Sequence, residues 1–234
     1  MQKLSKFILL PLLAVMLFSV AFVMAQDTTD EVTAQELGIS EPTLLPNSPF
    51  YFLKEWMRGL HLAFTFKNTD KAELMNKIAN EKLAELEKIA ESGLDSNAIQ
   101  NATENYQKAI EKIKQITDKI KETAEENKNV SDFLEKFANH QILHERILKR
   151  LQEQVSEGAF KVIQQARERH MERFGEVMQK LEVNQERITE RLQNALQNRQ
   201  GNSEVLEDII ENMPNSLQGQ VNQLKQKAQN QQLK

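Results

Sequence analysis

The chain has 234 residues with 30 basic and 34 acidic side chains, a net charge of −4, and no cysteine. Mild acidity argues against a general nucleic-acid footprint. The lack of cysteine excludes disulfides, thiolate nucleophiles and a cysteine-linked lipid anchor, so stability rests on helix packing.

Lys3 and Lys6 precede an apolar run, Phe7 to Ala25, that ends Val23-Met24-Ala25 before polar Gln26-Asp27. A basic start, an apolar core and small or aliphatic residues at the −3 and −1 positions of a cut predict an export signal over 1–25. The run is also close to the ~20 residues that span a bilayer, so a membrane anchor over 7–24 is the alternative reading. Either reading predicts a secreted or extracytoplasmic location. Residues 26–45 carry Asp27, Asp30, Glu31, Glu36 and Glu41 and no basic residue, and read as a flexible acidic spacer.

From Phe50 to Met213 no proline occurs, and the composition favours helix throughout. The expected architecture is all-α: an elongated antiparallel bundle of about five main helices over 46–213. Ser48-Pro49 opens the first, and Phe50, Leu53, Trp56, Leu60 and Phe64 follow at helical spacing. These aromatics are expected to wedge into the bundle; the other reading is a helix lying on a membrane surface through 50–66. A second helix is expected from Asp70 to Ala90, ended by Gly93. A third, from Asn97 to Asn127, carries the seam Ile99, Ala102, Tyr106, Ala109, Ile113, Ile116 and Ile120, which spacing predicts to be buried lengthwise. A fourth, capped by Ser131-Asp132, runs to Val155. A fifth is expected from Ala159 to Gln197, and a short apolar one over 205–213. The Gln- and Asn-rich residues 214–234 read as a tail or a marginal helix.

Leu45-Pro46-Asn47-Ser48-Pro49-Phe50-Tyr51-Phe52-Leu53-Lys54, then Asn80-Glu81-Lys82-Leu83-Ala84-Glu85-Leu86, resembles the start of an uncharacterised family of exported prokaryotic helical domains, a domain of unknown function. Its members open Pro-x-Ser-Pro-x-Tyr-x-Leu-Lys. His140 to Leu151, Val155-Ser156-Glu157 and Ile163 to Met171 resemble the family's second half, with Ser156 where the family has proline. The resemblance covers roughly 45–180. It implies fold and compartment and carries over no catalytic residue.

His140-x-x-x-His144 has the spacing of two ligands of one metal ion on a helix. If the chain reverses at Ser156-Glu157-Gly158, His170 joins them, and His140, His144 and His170 form the only candidate metal site. The same positions suit histidines that pack and hydrogen-bond across a helix seam. No nucleophile elbow and no phosphate loop is present, so no catalytic residue and no cofactor is expected. The expected function is a non-catalytic protein-binding or structural module of the cell envelope, its partner an envelope protein or a second copy. The alternative is an extracytoplasmic stress- or metal-responsive helical chaperone or sensor, of which Leu181-Glu182-Val183-Asn184-Gln185 keeps only the ends of a Leu-Thr-x-x-Gln signature.

Overall fold

The computed structural model describes residues 32–93, 96–197, 215–220 and 222–223. The expected signal segment and the helix over 205–213 lie outside these. The described residues hold six complete α-helices: α1 Tyr51–Phe64, α2 Asn68–Glu91, α3 Ser96–Thr117, α4 Lys128–Gln154, α5 Glu157–Leu181 and α6 Gln185–Gln197, with a 3-10 turn at Asn215–Leu217 and helical residues at 218–220 and 222–223. No strand occurs among them. None of these helices is long and apolar enough to cross a membrane.

Four helices form the core, in the spatial order α2, α3, α5, α4 around a ring. Each of α2, α4 and α5 buries a stripe at i, i+3, i+4 spacing: Met75, Ala79, Leu83 and Leu86 on α2; Phe133, Phe137, Ile147 and Leu151 on α4; Ile163, Phe174, Val177 and Leu181 on α5. The full α3 seam, Ile99 to Ile120, is buried as its spacing predicts. Each fully buried aliphatic or aromatic side chain contributes about 1.5–3 kcal/mol, and these stripes converge on one cluster.

The connections decide the directions. Gly93 at φ 67 supplies the left-handed residue after α2, so α2 and α3 form a tight antiparallel hairpin. The chain also reverses at Val155-Ser156, and α5 packs back along α4. Ser156 sits at φ −64, the value to which proline is locked, so serine at this position preserves the turn geometry. Between the hairpins the helices run parallel. Glu73 pairs with Lys136, Asn80 with His144 and Glu87 with Arg150, all in one register of α2 against α4. Gln107 with Arg169 and Glu111 with Arg173 do the same for α3 against α5. The bundle is therefore two antiparallel hairpins laid side by side in parallel, and not antiparallel throughout as expected.

Four other expectations change. The third helix stops at Thr117, ten residues early. Residues 118–127 instead make a corner that buries Ile120 and Ala124, in which Ala124 N donates to Leu181 O at 2.8 Å and Thr123 N to Glu126 Oε2 at 2.8 Å. The cap of α4 is Asn127, whose side chain accepts from Asn129 N at 2.9 Å, and not Ser131. The long fifth helix is broken after Leu181, because Asn184 Oδ1 accepts from Glu186 N at 2.9 Å and starts α6 afresh. Finally, the spacer reading fails for 32–45. Val32 and Leu37 enter the core, a Thr33–Glu36 capping box closes the turn, and Gly38 at φ 67 lets it reverse. Of the acidic side chains that suggested a spacer, Glu36 closes this turn by accepting from Thr33 N, and Glu41 pairs with Lys88 of α2.

Candidate functional site

The histidines meet inside the bundle. The reversal after Gln154 brings His144 and His170 to 5.6 Å between ring centroids, with Tyr106 of α3 at 5.5 Å from His144. Asn76 and Asn80 lie one turn apart on α2, opposite His140 and His144 one turn apart on α4. Asn80 Nδ2 donates to Leu37 O at 2.7 Å and faces His140 Nδ1 at 3.1 Å. Its oxygen must then accept, so His144 Nε2 donates to Asn80 Oδ1 at 2.7 Å. That tautomer leaves His144 Nδ1 to accept from the Tyr106 hydroxyl at 3.0 Å. A second chain starts on α5. His170 Nε2 donates to Gln141 Oε1 at 2.8 Å, Gln141 donates to Asn76 Oδ1 at 3.1 Å, and Asn76 donates to His140 Nδ1 at 2.8 Å. One hydrogen-bonded network thus ties four helices and the turn at Leu37.

This network uses the imidazoles as seam residues. Both nitrogens of His144 are engaged in its neutral form, and burial, then His170 and His140, hold its pKa well below the ordinary value. Among the described residues no group of three or more His, Cys, Asp or Glu side chains is arranged to hold a metal ion. The geometry brings His140, His144 and His170 into one network, with amides and a phenol occupying the positions that ligand lone pairs need. Sequence reasoning missed Asn76, Asn80 and Gln141. Their signal was polar residues at i, i+4 within apolar stripes, matching the spacing of the histidines.

Glu145 lies one residue on and is 1% exposed in its side chain. Burial pushes its carboxyl up, but His170 and Arg167 outweigh burial and hold it below the usual carboxylate range. Arg167 Nε donates to Glu145 Oε1 at 2.9 Å, while Oε2 faces His170 Nδ1 at 3.7 Å with no other partner for either atom.

These groups set an acid limit. The unfolded chain takes up a proton on His144 near pH 6.5, and the folded chain does so only well below that. Stability is therefore full above pH 6.5 and falls below it by ~1.4 kcal/mol per pH unit for this one group. Glu145 acts in the same direction lower down: its contribution is present above its unfolded value and lost as pH drops through its depressed folded value. Urea melts from pH 8 to pH 5 are expected to show a constant midpoint down to about 6.5 and a loss of about 2 kcal/mol by pH 5. A flat midpoint across that range contradicts the buried neutral His144.

The other site is α1, and it is built inside out. Its docking face is polar. Tyr51 OH donates to Glu85 Oε2 at 2.5 Å, and Lys54 reaches Glu85 Oε1 at 2.6 Å. Arg58 donates to Glu81 at 2.6 Å and to Glu85 at 2.8 Å, both from α2. Lys82 of α2 returns to Glu55 at 2.9 Å, which Arg58 also binds. Arg58, Tyr51 and Glu85 are buried. Burial and then Glu85 drive the Tyr51 hydroxyl pKa far up. Burial acts to lower the Arg58 pKa, but Glu85 and Glu81 reverse it and keep the guanidinium charged.

The opposite face is apolar and bare. Phe52 is 64% exposed, Trp56 63% and Phe64 72%, with Leu53 and Met57 also exposed, and Phe50 and Phe66 flank the helix in the same state. At 100° per residue, Phe52, Leu53, Trp56, Met57, Leu60, Ala63 and Phe64 fill an arc of about 140° with no charged residue. The expectation that these aromatics wedge into the bundle is overturned. The ion-paired face reaches α2 first, because Glu81 and Glu85 on α2 offer Arg58 and Tyr51 partners that no apolar contact supplies. Seven of the nine exposed large hydrophobic side chains among the described residues fall within 50–66, so the exposure is concentrated and not the scatter usual of a surface.

A family model described as a domain of unknown function (DUF5667) matches residues 43–141. The match runs from just before the Leu45-Pro46 opening through α1, α2 and α3 into α4, and so takes in the α1–α2 junction and all of the histidine network's side chains except His144 and His170. It is consistent with the uncharacterised family that the opening resembles, and it stops short of the part of that resemblance beyond Gln141. No curated protein and no solved structure matches the chain.

Proposed function

We propose that this chain is a non-catalytic helical binding module of the cell envelope, with α1 as its binding element. The observation that carries the reading is the inversion of α1: its ion-paired face is spent on α2, and its apolar arc is presented outward. Apolar surface of that extent on a protein that buries the rest of its aliphatic stripes is a contact surface. The internal chemistry supports a structural role for the bundle. His144, Tyr106 and the amides of Asn76, Asn80 and Gln141 are engaged with one another, which leaves no activated nucleophile beside a base. The export reading of residues 1–25 supplies the compartment.

The test compares two positions in cells. A photoreactive phenylalanine analogue replaces either Met57, on the exposed arc, or Lys77, exposed on α2. Irradiation is expected to give adducts from position 57 and none from position 77. No adduct from either, or equal adducts from both, contradicts α1 as the binding element.

A further inference from the structure

We infer that the outward face of α1 seats in the interfacial layer of a lipid bilayer. This rests on the binding-module reading and names its partner. The arc offers a partner no ion, and its one hydrogen-bonding group is the Trp56 indole N–H. Whatever covers it must be apolar and must yield to a convex helix about 21 Å long. Acyl chains yield in this way; a helix lies with its apolar side about 5–10 Å into the headgroup boundary, and Trp, Phe and Leu are the residues that such a side carries. Trp56 combines an apolar body with a polar tip, the combination that collects at that boundary.

A second copy fits less well. The seam that two such helices would share is Phe50, Leu53, Met57, Leu60 and Phe64, at alternating spacings of three and four. On the helical wheel Trp56 and Phe52 lie about 70–110° to one side of that line. A helix pair would leave them in water, together with much of the area that makes the arc unusual. A bilayer covers the whole arc at once.

The sequence places a bilayer within reach. The apolar run 7–25 reads as a signal or an anchor, and both bring the chain to a membrane. The mode of binding also follows from the charges. Interfacial helices usually keep Lys and Arg on their polar side for anionic headgroups. Here Lys54 and Arg58 are turned inward onto Glu85 and Glu81, which leaves the contact to apolar area. Zwitterionic lipid should therefore suffice, and added salt should not reverse the contact.

Trp56 is the only tryptophan, so its fluorescence reports on this face alone, even in the full chain with residues 7–25 present. The full chain is reconstituted with phosphatidylcholine vesicles, plain or brominated on the acyl chains. Trp56 emission is expected to shift to the blue in plain vesicles and to lose intensity in brominated ones, equally at low and high salt. The double substitution Phe52→Ser, Phe64→Ser is expected to abolish both changes and leave the melting temperature in place, since both side chains are exposed. A red, unquenched Trp56 in the parent overturns the inference, as does quenching that the double variant retains. The lipid-free protein and envelope extract separate the two readings. If vesicles leave Trp56 unmoved but it shifts to the blue as lipid-free protein is concentrated and the mass doubles, the face binds a second copy and the module reading stands. If Trp56 stays red with lipid, at high concentration and in envelope extract, both readings fall.

Discussion

Ile113→Lys is expected to abolish cooperative folding at 25 °C. Ile113 is 1% exposed at the centre of the α3 seam, between α2 and α5. Trimming it to alanine removes its transfer free energy and leaves a cavity, which costs about 2–5 kcal/mol. Lysine keeps the bulk but places an ammonium in the hydrophobic cluster to which Ile113 belongs, and an unpaired buried charge costs more than a cavity. Domains of this size have about 5–15 kcal/mol in hand, so the alanine variant should melt early and the lysine variant should lack a transition. Lys112→Ala, one residue away on the exposed side, should stay within ~0.5 kcal/mol of the parent. Thermal melts followed by circular dichroism decide it. An unchanged melting temperature in both Ile113 variants would show that the seam is not buried.

The second large effect is local. Arg58→Ala leaves the Glu85 carboxylate, 1% exposed, with Tyr51 and Lys54 alone, and strips Glu81 of both its guanidinium contacts. Removing one partner of a buried ion pair typically costs about 3–5 kcal/mol. Partial exposure of Glu81 and the remaining Lys54 pair place this case near the lower end, at about 3 kcal/mol. The cost also has a natural outlet. The main contacts of α1 with the bundle are to α2, so α1 can detach and let water solvate Glu85 while α2 to α5 stay packed. Hydrogen exchange should then show α1 amides near the free-chain rate and unchanged protection at Leu83, Ile113 and Ile147. Glu85→Gln should be milder, because an amide oxygen still accepts from Tyr51. Protection of α1 that survives Arg58→Ala would mean that something other than the polar face holds it.

Apolar spacing alone revealed most of the bundle. The α3 seam and the α4 stripe follow from one-dimensional periodicity, because burial is what maintains it; the reversal at Ser156 does not, since a continuous rod would carry the same stripes. Helix ends were harder. Residues 118–127 are helix formers, yet Ile120 and Ala124 gain more by turning into the core than by continuing α3. Asn184 stopped a helix that propensity would have continued, since its side chain caps as well as an aspartate does.

The histidine network needed a second dimension. His140 and His144 have ligand spacing on their own helix. Only the parallel register of α2 against α4, a fixed offset of about 64 residues, shows that Asn76 and Asn80 stand opposite them. The orientation of α1 needed it too. Periodicity identifies which side of a helix is apolar, and the usual inference turns that side inward. Nothing along α1 itself marks Tyr51, Lys54 and Arg58 as its docking side chains. Their meaning lies in Glu81 and Glu85 on a different helix, both of which stand in the stretch that resembles the uncharacterised family.

The inversion of α1 is the central claim, and iodide and acrylamide quenching of Trp56 in the lipid-free protein tests it most directly. With the indole 63% exposed on an outward arc, emission should lie at the red end, both quenchers should reach it almost as freely as they reach tryptophan in water, and Arg58→Ala should change little. A blue emission shielded from iodide, released only when the helix is freed by Arg58→Ala, would mean that the aromatic face is the one buried against the bundle.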